Sequence, residues 1–427
     1  MPWDFSTEPE FEEKLDWARG FVHDEIEPLE TLELDHATYR RVAVPLQQEV
    51  RRHGLWAAHL EPHMGGQGYG QVKLGLLNEV LGRCELAPFV FGCQAPDTGN
   101  AELLALAGTE EQKRRWLTPL LDTEILSAFS MTEPGTGSDP RQFTTRADLV
   151  GDEWVINGHK WFVSNASRAA FHLLMAATEP DADALNKFSM LIVPTDTPGV
   201  ETRPIPVMPH PDPDSGTVFN HCEVWYRDVR IPRDNLLGER GGAFVLAQKR
   251  LGPGRIHHAM RWLGVARRAF DMMCERSVSR SVHGGPLSDK QTVQNWIADS
   301  AVEMEAARLL TLQAAWRIDQ LGSSGARLDI AMIKYWGARV LLDVIDRAIQ
   351  VHGSLGYSGD MPLEWMYRVS RAARIYDGPD EVHRATVARQ ILRRYTPREV
   401  PSEHVPTRRA AAEERFASVV EALSATV

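Results

Sequence analysis

Phe129-Ser130-Met131-Thr132-Glu133-Pro134-Gly135-Thr136-Gly137-Ser138-Asp139 marks the point where the hydrophobic period of this chain changes. Before it, apolar residues recur every three or four positions. After Ser127 they come in short runs rich in β-branched and aromatic residues. The Gly135-Thr136-Gly137 turn raises a dinucleotide-binding fold, in which a glycine turn joins a strand to a helix. Pro140 and further strands follow where that helix is required, so the fold is excluded. What remains is a turn whose backbone N–H groups can point at an anion or a ring carbonyl.

Upstream, Phe11, Leu15, Ala18, Val22 and Ile26 form the stripe of a core-facing helix that Pro28 closes. Val72 to Leu81 and Ala101 to Leu121 repeat the pattern, the latter with a restart at Gly108, where Thr109 and Gln112 have capping-box spacing. Gly65 to Gly70 lacks both a preceding strand and the GxGxxG spacing, and reads as a flexible loop near the site. Downstream, strands are expected at Phe143 to Leu149, Trp154 to Asn157, His159 to Val163, Phe171 to Thr178, Phe188 to Val193 and Val218 to Trp225. Gly151-Asp152 and Asn157-Gly158 serve as hairpin turns. This predicts an antiparallel barrel or sandwich of about a hundred residues. Helical spacing returns from Gly241, and Ile330, Ile333, Gly337, Val340, Val344, Ala348 and Val351 suit a bundle helix. The expected class is α+β: a helical domain over 1–126, a β domain over 127–240, a four-helix bundle over 241–397, and a tail over 398–427. Phe416, Val419, Val420 and Leu423 place one more amphipathic helix in that tail.

The 427 residues are 43% hydrophobic and 25% charged, the composition of a soluble globular protein. A net charge of -11 gives no attraction to phosphate backbones or anionic lipid, which argues against nucleic acid as a partner. No apolar run reaches the roughly 20 residues of a membrane span, so no membrane insertion is expected. Met1 to Glu10 lacks a signal-peptide pattern, and the expected compartment is the cytoplasm or an organelle matrix. Cys84, Cys93, Cys222 and Cys274 are scattered and read as free thiols. His59 and His63 flank Pro62 without a third ligand, so no metal site is expected.

Two further stretches carry chemistry. Arg374-Ile375-Tyr376-Asp377-Gly378-Pro379-Asp380-Glu381-Val382-His383-Arg384 sets a carboxylate on a tight turn before a helix. Asp377 or Asp380 caps that helix, or Asp377 is a desolvated base with a raised pKa. Ile156 to Asn165 carries adjacent aromatics, and alternation puts Phe162 and Ser164 on one face, where a flat ring could stack and hydrogen-bond. The competing reading is a β-core aromatic. Trp161, Trp296, Trp316 and Trp336 read as core, and of the adjacent His257 and His258 one can line the pocket while the other packs or is solvated.

Thr132-Glu133-Pro134-Gly135 to Asp139, Asn157-Gly158-His159-Lys160, Gln350-Val351-His352-Gly353-Ser354-Leu355-Gly356 and the Asp377 stretch together resemble the acyl-CoA dehydrogenase family. They stand in its order and spacing, over nearly the whole chain to about Arg394. Asp377 to His383, with Leu251 to His258, is similar to the subgroup of the mammalian family members ten and eleven, associated with longer-chain and 4-hydroxyacyl thioesters.

The resemblance implies FAD. By motif position Phe129, Met131, Thr132, Gly137 and Ser138 line the flavin and the start of the thioester tunnel, and Phe162 and Ser164 cover its other side. Arg280, Gln291, Gln350, Gly353 and Ser354 match positions holding the adenosine and pyrophosphate across a subunit interface, which implies a homodimer or homotetramer. Pro379, Asp380 and Glu381 match a turn at the flavin nucleotide, while Ser138, Arg255, Tyr376 and Gly378 fall on the acyl-CoA side. The implied reaction is α,β-dehydrogenation of an acyl-CoA, with Asp377 as base and electron transfer flavoprotein as acceptor. The general family has Glu at that position, so Asp withdraws the carboxylate by about 1.5 Å; the other position used for this acid is Gly254 here. Two alternatives stand beside this: a nitroalkane-oxidase-like enzyme with an Asp base, and a non-catalytic CoA-binding or assembly subunit.

Overall fold

Phe11, Leu15, Ala18, Val22 and Ile26 are each 2% exposed or less. They lie on α1 (Pro9–Phe21) and the wider turn Val22–Ile26 that follows it. The computed structural model describes residues 6–32, 34–212 and 220–425, apart from the side chains of Lys249 and Leu251. Met1 to Phe5 of the N-terminal reading and Val218 and Phe219 of the last expected strand lie outside the described residues.

The first helical region continues through α2 (His36–Arg52), α3 (Gly70–Leu81), α4 (Ala87–Val90), α5 (Asp97–Ala107), α6 (Glu110–Gln112) and α7 (Thr118–Leu121). The capping box forms in both directions, with Gln112 N–H donating to Thr109 Oγ1 and Thr109 N–H to Gln112 Oε1. Gln112 Nε2 also donates to the carbonyls of Asp234 and Leu236, tying α6 to the end of the sheet. The Gly65 to Gly70 loop is packed rather than loose. A methyl on Gly66 would lie 2.0 Å from the Leu60 carbonyl oxygen, and Asp319 accepts from Gln71 and Val72 at the start of α3.

The sheet comprises β1 (Ser127–Ser130), β2 (Arg146–Val150), β3 (Glu153–Ser164), β4 (Phe171–Ala177), β5 (Phe188–Pro194), β6 (Val200–Pro204), β7 (His221–Pro232) and β8 (Leu236–Leu237). Its order is β6-β7-β3-β2-β4-β5-β8, with β1 against β4. Gly151, at φ +61, makes the β2–β3 turn as expected. Asn157-Gly158 does not turn the chain: it lies inside the continuous β3. Asn157 instead exchanges two hydrogen bonds with Asp228 on β7, and a methyl on Gly158 would meet Thr145 Oγ1 at 2.3 Å. The glycine there serves close strand packing. Pairing is also not wholly antiparallel, since β1 and the first residue of β2, Arg146, pair in parallel with β4.

The helical bundle follows: α8 (Ala243–Ser279), the short β9 (Ser281–Val282) and β10 (Gly285–Pro286) hairpin, α9 (Gln291–Gly325), α10 (Arg327–His352), α11 (Leu363–Ser370) and α12 (Asp380–Leu392). The α10 stripe from Ile330 to Val351 is buried along its length. A methyl on Gly82, just after α3, would lie 2.1 Å from the Arg261 carbonyl of α8, and one on Gly264 would lie 2.2 Å from the Glu79 carbonyl. Backbone therefore touches backbone where α3 crosses α8. Trp296 and Trp336 pack against the core as half-buried residues.

The chain divides into two units, Met1–Arg384 and Ala385–Val427. The second carries the rest of α12 and α13 (Val405–Ser424), which leaves Phe416, Val419, Val420 and Leu423 exposed. Among the described residues, no helix is long and apolar enough to cross a membrane.

Candidate active site

Asp377 and Gly378 both adopt left-handed backbone conformations, with φ of +54° and +98°. Aspartate tolerates this region better than most residues, and glycine enters it freely. A methyl on Gly378 would also lie 2.8 Å from His383 Nε2. Three side chains staple the turn through its carbonyls. Arg255 donates from Nε and Nη2 to the Asp377 oxygen at 3.2 and 3.0 Å. His383 Nε2 lies 3.1 Å from the same oxygen. Lys334, fully buried, donates to Ala373 at 2.6 Å and Gly378 at 3.3 Å.

Among the described hydrogen bonds the Asp377 carboxylate accepts none from α12, whose Val382 and His383 N–H groups donate to the Pro379 carbonyl instead. The Asp377 side chain is 23% exposed, and Oδ2 lies 3.4 Å from His258 Nε2. Burial pushes this carboxyl up, but His258, Arg255, Arg250 and Lys334 outweigh burial and hold it below the ordinary aspartate value. The raised pKa expected from desolvation alone is thus overturned: the turn is buried among cations, whose positions in the chain are far apart. His258 is itself pushed down to about 4, chiefly by burial. At neutral pH it is an uncharged ring, and the charges acting on Asp377 are Arg255, Arg250 and Lys334.

A second wall is built from β1, the loop after it and β3. The Arg250 guanidinium lies 4.1 Å from the centre of the Phe129 ring, which connects this wall electrostatically to Asp377. Lys160 Nζ donates to the Met131 carbonyl at 2.7 Å and to Glu133, and the Trp161 N–H donates to the Thr132 carbonyl. Glu133 in turn accepts from the N–H groups of Thr144 and Thr145. The loop is fastened at both ends of its first turn.

In β3 a bulge falls between Lys160 and Val163, and Phe162 takes φ +50. Phe162 is 49% exposed, so it is not a β-core aromatic. Its ring lies 6.1 Å from that of His221, and Ser164 Oγ is 3.1 Å from His221 Nδ1, so Phe162 and Ser164 meet at one residue. Trp161 stands edge-on to Phe162, outside the core, beside a groove walled by Pro204, Ile205 and Pro206. This donor set fits a flavin ring: an exposed aromatic face, the hydroxyls of Thr132, Ser138 and Ser164, and a turn in which a methyl at Gly135 would meet nothing within 4 Å. Gly137 and Ser138 are exposed.

Arg280, Gln291, Gln350, Gly353, Ser354 and Glu381 are all exposed on the single chain, where Gln291 donates to Asn295. Pro379 is half-buried. Asp380 is 3% exposed and its Oδ2 accepts from Arg374 at 2.7 Å, so one of its oxygens is already taken. Tyr376 OH accepts from Trp262 Nε1 at 2.8 Å.

Arg250, His258 and Lys334 were not singled out as contacts of the base. Arg250 follows another basic residue and Lys334 sits amid the apolar stripe of α10, so neither position carries a local sequence signal for the site. Glu102 faces Arg250 rather than the base, its carboxyl pushed up to about 8 by burial against the opposing pull of Arg250. Only the adjacent His257-His258 pair offered a signal. His257 is 5% exposed and packs inward, whereas His258 faces the base.

Models of the acyl-CoA dehydrogenase N-terminal, middle and C-terminal domains match residues 8–124, 128–222 and 241–392. The chain belongs to the acyl-CoA dehydrogenase family, whose members are FAD-dependent oxidoreductases. It is 46% identical over 378 residues to the probable acyl-CoA dehydrogenase FadE2 of Mycobacterium tuberculosis, covering 85% of this chain and 91% of that protein. It is 43% identical over 352 residues to acyl-CoA dehydrogenase family member 11 of Rattus norvegicus, covering 81% of this chain and 44% of that longer protein. A solved structure of a putative acyl-CoA dehydrogenase from Mycobacterium abscessus superposes with a TM-score of 0.85 at 37% identity, over 92% of this chain and all of the other.

Proposed function

We propose that this chain oxidises an acyl-CoA thioester to the trans-2-enoyl thioester, with Asp377 removing the α-proton and electron transfer flavoprotein receiving the electrons. The observation that carries the reading is the Asp377 carboxylate, ionised and half-buried on a stapled turn, linked through Arg250 to the Phe129 wall. Bound FAD would supply the acceptor for the hydride lost from the β-carbon. Phe129, Met131, Thr132, Gly137, Ser138, Phe162 and Ser164 would hold its ring. The exposed Arg280, Gln291, Gln350, Gly353 and Ser354 support a site completed by a second copy, as a dimer or tetramer.

A carboxylate held low by cations is a weak base, so proton removal needs help from the pocket. The cations supply it, because negative charge developing on the thioester enolate falls within the field of Arg250, Arg255 and Lys334. Substrate that excludes water from the turn also raises the Asp377 pKa, strengthening the base as it is used.

The test is an anaerobic titration of the FAD-loaded protein with butyryl-, octanoyl- and palmitoyl-CoA, following flavin absorbance, for wild type and Asp377→Asn. Bleaching in the wild type alone is the expected result. Flavin that stays oxidised with every thioester overturns the reading, and oxygen consumption with a nitroalkane then identifies the oxidase alternative. Bleaching that survives in Asp377→Asn removes Asp377 from the role of base.

A further inference from the structure

His258 is held from two sides. Its ring stacks near Trp262 at 6.3 Å and tilts against Tyr376 at 5.1 Å, and those two are joined by the Trp262 Nε1 to Tyr376 OH hydrogen bond. Lys334 Nζ lies 5.3 Å from both the Trp262 and Tyr376 rings, which closes the far side. The imidazole is left with Nε2 turned toward Asp377 Oδ2 at 3.4 Å, a long approach of the kind that tightens when substrate displaces water.

Every group around this pair bears on what the ring does. Arg250 and Arg255 on α8, Lys334 on α10 and His383 on α12 face the Asp377 turn. Arg261 and His257 on α8 face the imidazole. Arg250, Arg255 and Lys334 already favour the charged form of the base, and a full charge on His258 would weaken it further. A neutral N–H donor orients the carboxylate without that cost. The shorter side chain of Asp, compared with Glu, makes such a fixed direction more important.

We propose that His258 is a positioning residue for Asp377, a neutral imidazole whose Nε2–H orients the carboxylate toward the substrate α-carbon. The inference rests on the assignment of Asp377 as base. Backbone spacing alone places any residue 258 near the turn; what is particular to histidine is a flat ring that fits between Trp262 and Tyr376 and carries a donor at its far end.

The test compares FAD-loaded wild type, His258→Gln and His258→Leu by anaerobic stopped flow across pH, using whichever of butyryl-, octanoyl- or palmitoyl-CoA bleaches wild-type flavin fastest. Glutamine keeps a neutral N–H at similar reach. Leucine keeps volume and loses the donor. The expected result is flavin reduction within about threefold of wild type for His258→Gln and about 100-fold slower for His258→Leu. The acid limb of the leucine profile moves to higher pH, since losing a donor raises the Asp377 pKa. A leucine variant with wild-type rate and profile, or a glutamine variant as slow as leucine, overturns the proposal. A second measurement is independent of turnover: ¹⁵N NMR of histidine-labelled wild type, with the His258 resonances assigned by their loss in His258→Gln. A neutral Nε2–H tautomer at pH 7 is expected; an Nδ1–H tautomer or an imidazolium overturns the proposal. If no thioester bleaches the wild type, the assignment of the base has failed, and the NMR result decides the position of the imidazole proton by itself. The same measurement decides if the leucine variant does not fold.

Discussion

Lys160 Nζ lies 3.0 Å from Glu133 Oε1, and neither side chain is more than 5% exposed. Burial pushes the Glu133 carboxyl up, yet Lys160 and the Thr144 and Thr145 N–H groups outweigh it and hold it down to about 2. The pair is therefore charged at neutral pH, and it fastens the loop that begins at Met131.

Lys160→Met leaves a buried carboxylate without its counter-ion and the Met131 carbonyl without its donor. The expected loss is about 3–5 kcal/mol of unfolding free energy, measured by urea unfolding of the FAD-free protein. FAD retention on a desalting column should fall with it. In acid, the part of the stability due to Glu133 is present above its unfolded value of 4.5 and lost as pH falls through about 2. The difference in urea midpoint between wild type and Glu133→Gln should shrink across that window. A constant difference would contradict this assignment.

Asp377→Glu keeps the carboxylate but lengthens the side chain on a turn that Arg255, His383 and Lys334 hold through its carbonyls. The extra methylene advances the carboxylate by about 1.5 Å toward His258, already 3.4 Å away. Flavin reduction by acyl-CoA should slow roughly 100-fold while FAD content is unchanged. Equal rates for the two carboxylates would mean that the turn relaxes freely.

Gly378→Ala combines two penalties, a φ of +98° and a methyl 2.8 Å from His383 Nε2. The expected cost is about 1–3 kcal/mol, measured by urea unfolding. In a His383→Ala background the steric part disappears and the conformational part stays. The same substitution should then cost measurably less, and an unchanged cost would assign the whole effect to φ.

His172 is fully buried, with Nδ1 2.9 Å from Tyr226 OH, and burial pushes its pKa down to about 4. The unfolded chain takes up this proton near pH 6.5 and the folded chain does not, so stability falls as pH drops from 6.5 toward 4. His221 and His383 are depressed to about the same value and add to the slope. For His172 alone the effect at pH 4.5 is on the order of 2–3 kcal/mol. Urea midpoints between pH 7 and 4.5 should fall less steeply for His172→Gln; parallel curves would exclude His172 as a contributor.

The helix–sheet–helix order was legible because burial writes a period of 3.6 or 2 directly into the chain. Phe11 to Ile26 and Ile330 to Val351 are buried as their spacing implies. Asn157-Gly158 was misread because local turn preference competed with pairing to Asp228, a residue distant in sequence. The turn at Asp377 was visible from its Gly-Pro sequence, but the sign of its pKa shift was not. That sign depends on His258, Arg255, Arg250 and Lys334 converging from two helices, and no linear pattern records their convergence. Arg255, expected beside the acyl-CoA, spends two donors on the Asp377 carbonyl.

The crossing of α3 and α8 reaches this chemistry from a distance. Arg250, Arg255 and His258 ride on α8, and the separation of that helix from α3 is set by two missing methyl groups, at Gly82 and Gly264. Neither glycine approaches a substrate, yet together they act as a gauge block for the catalytic wall. Any side chain at either position would displace α8 before it altered anything else. Inheritance at these two sites is therefore constrained by the alignment of a base some helical turns away, and a survey of tolerated substitutions would find them as intolerant as the turn itself.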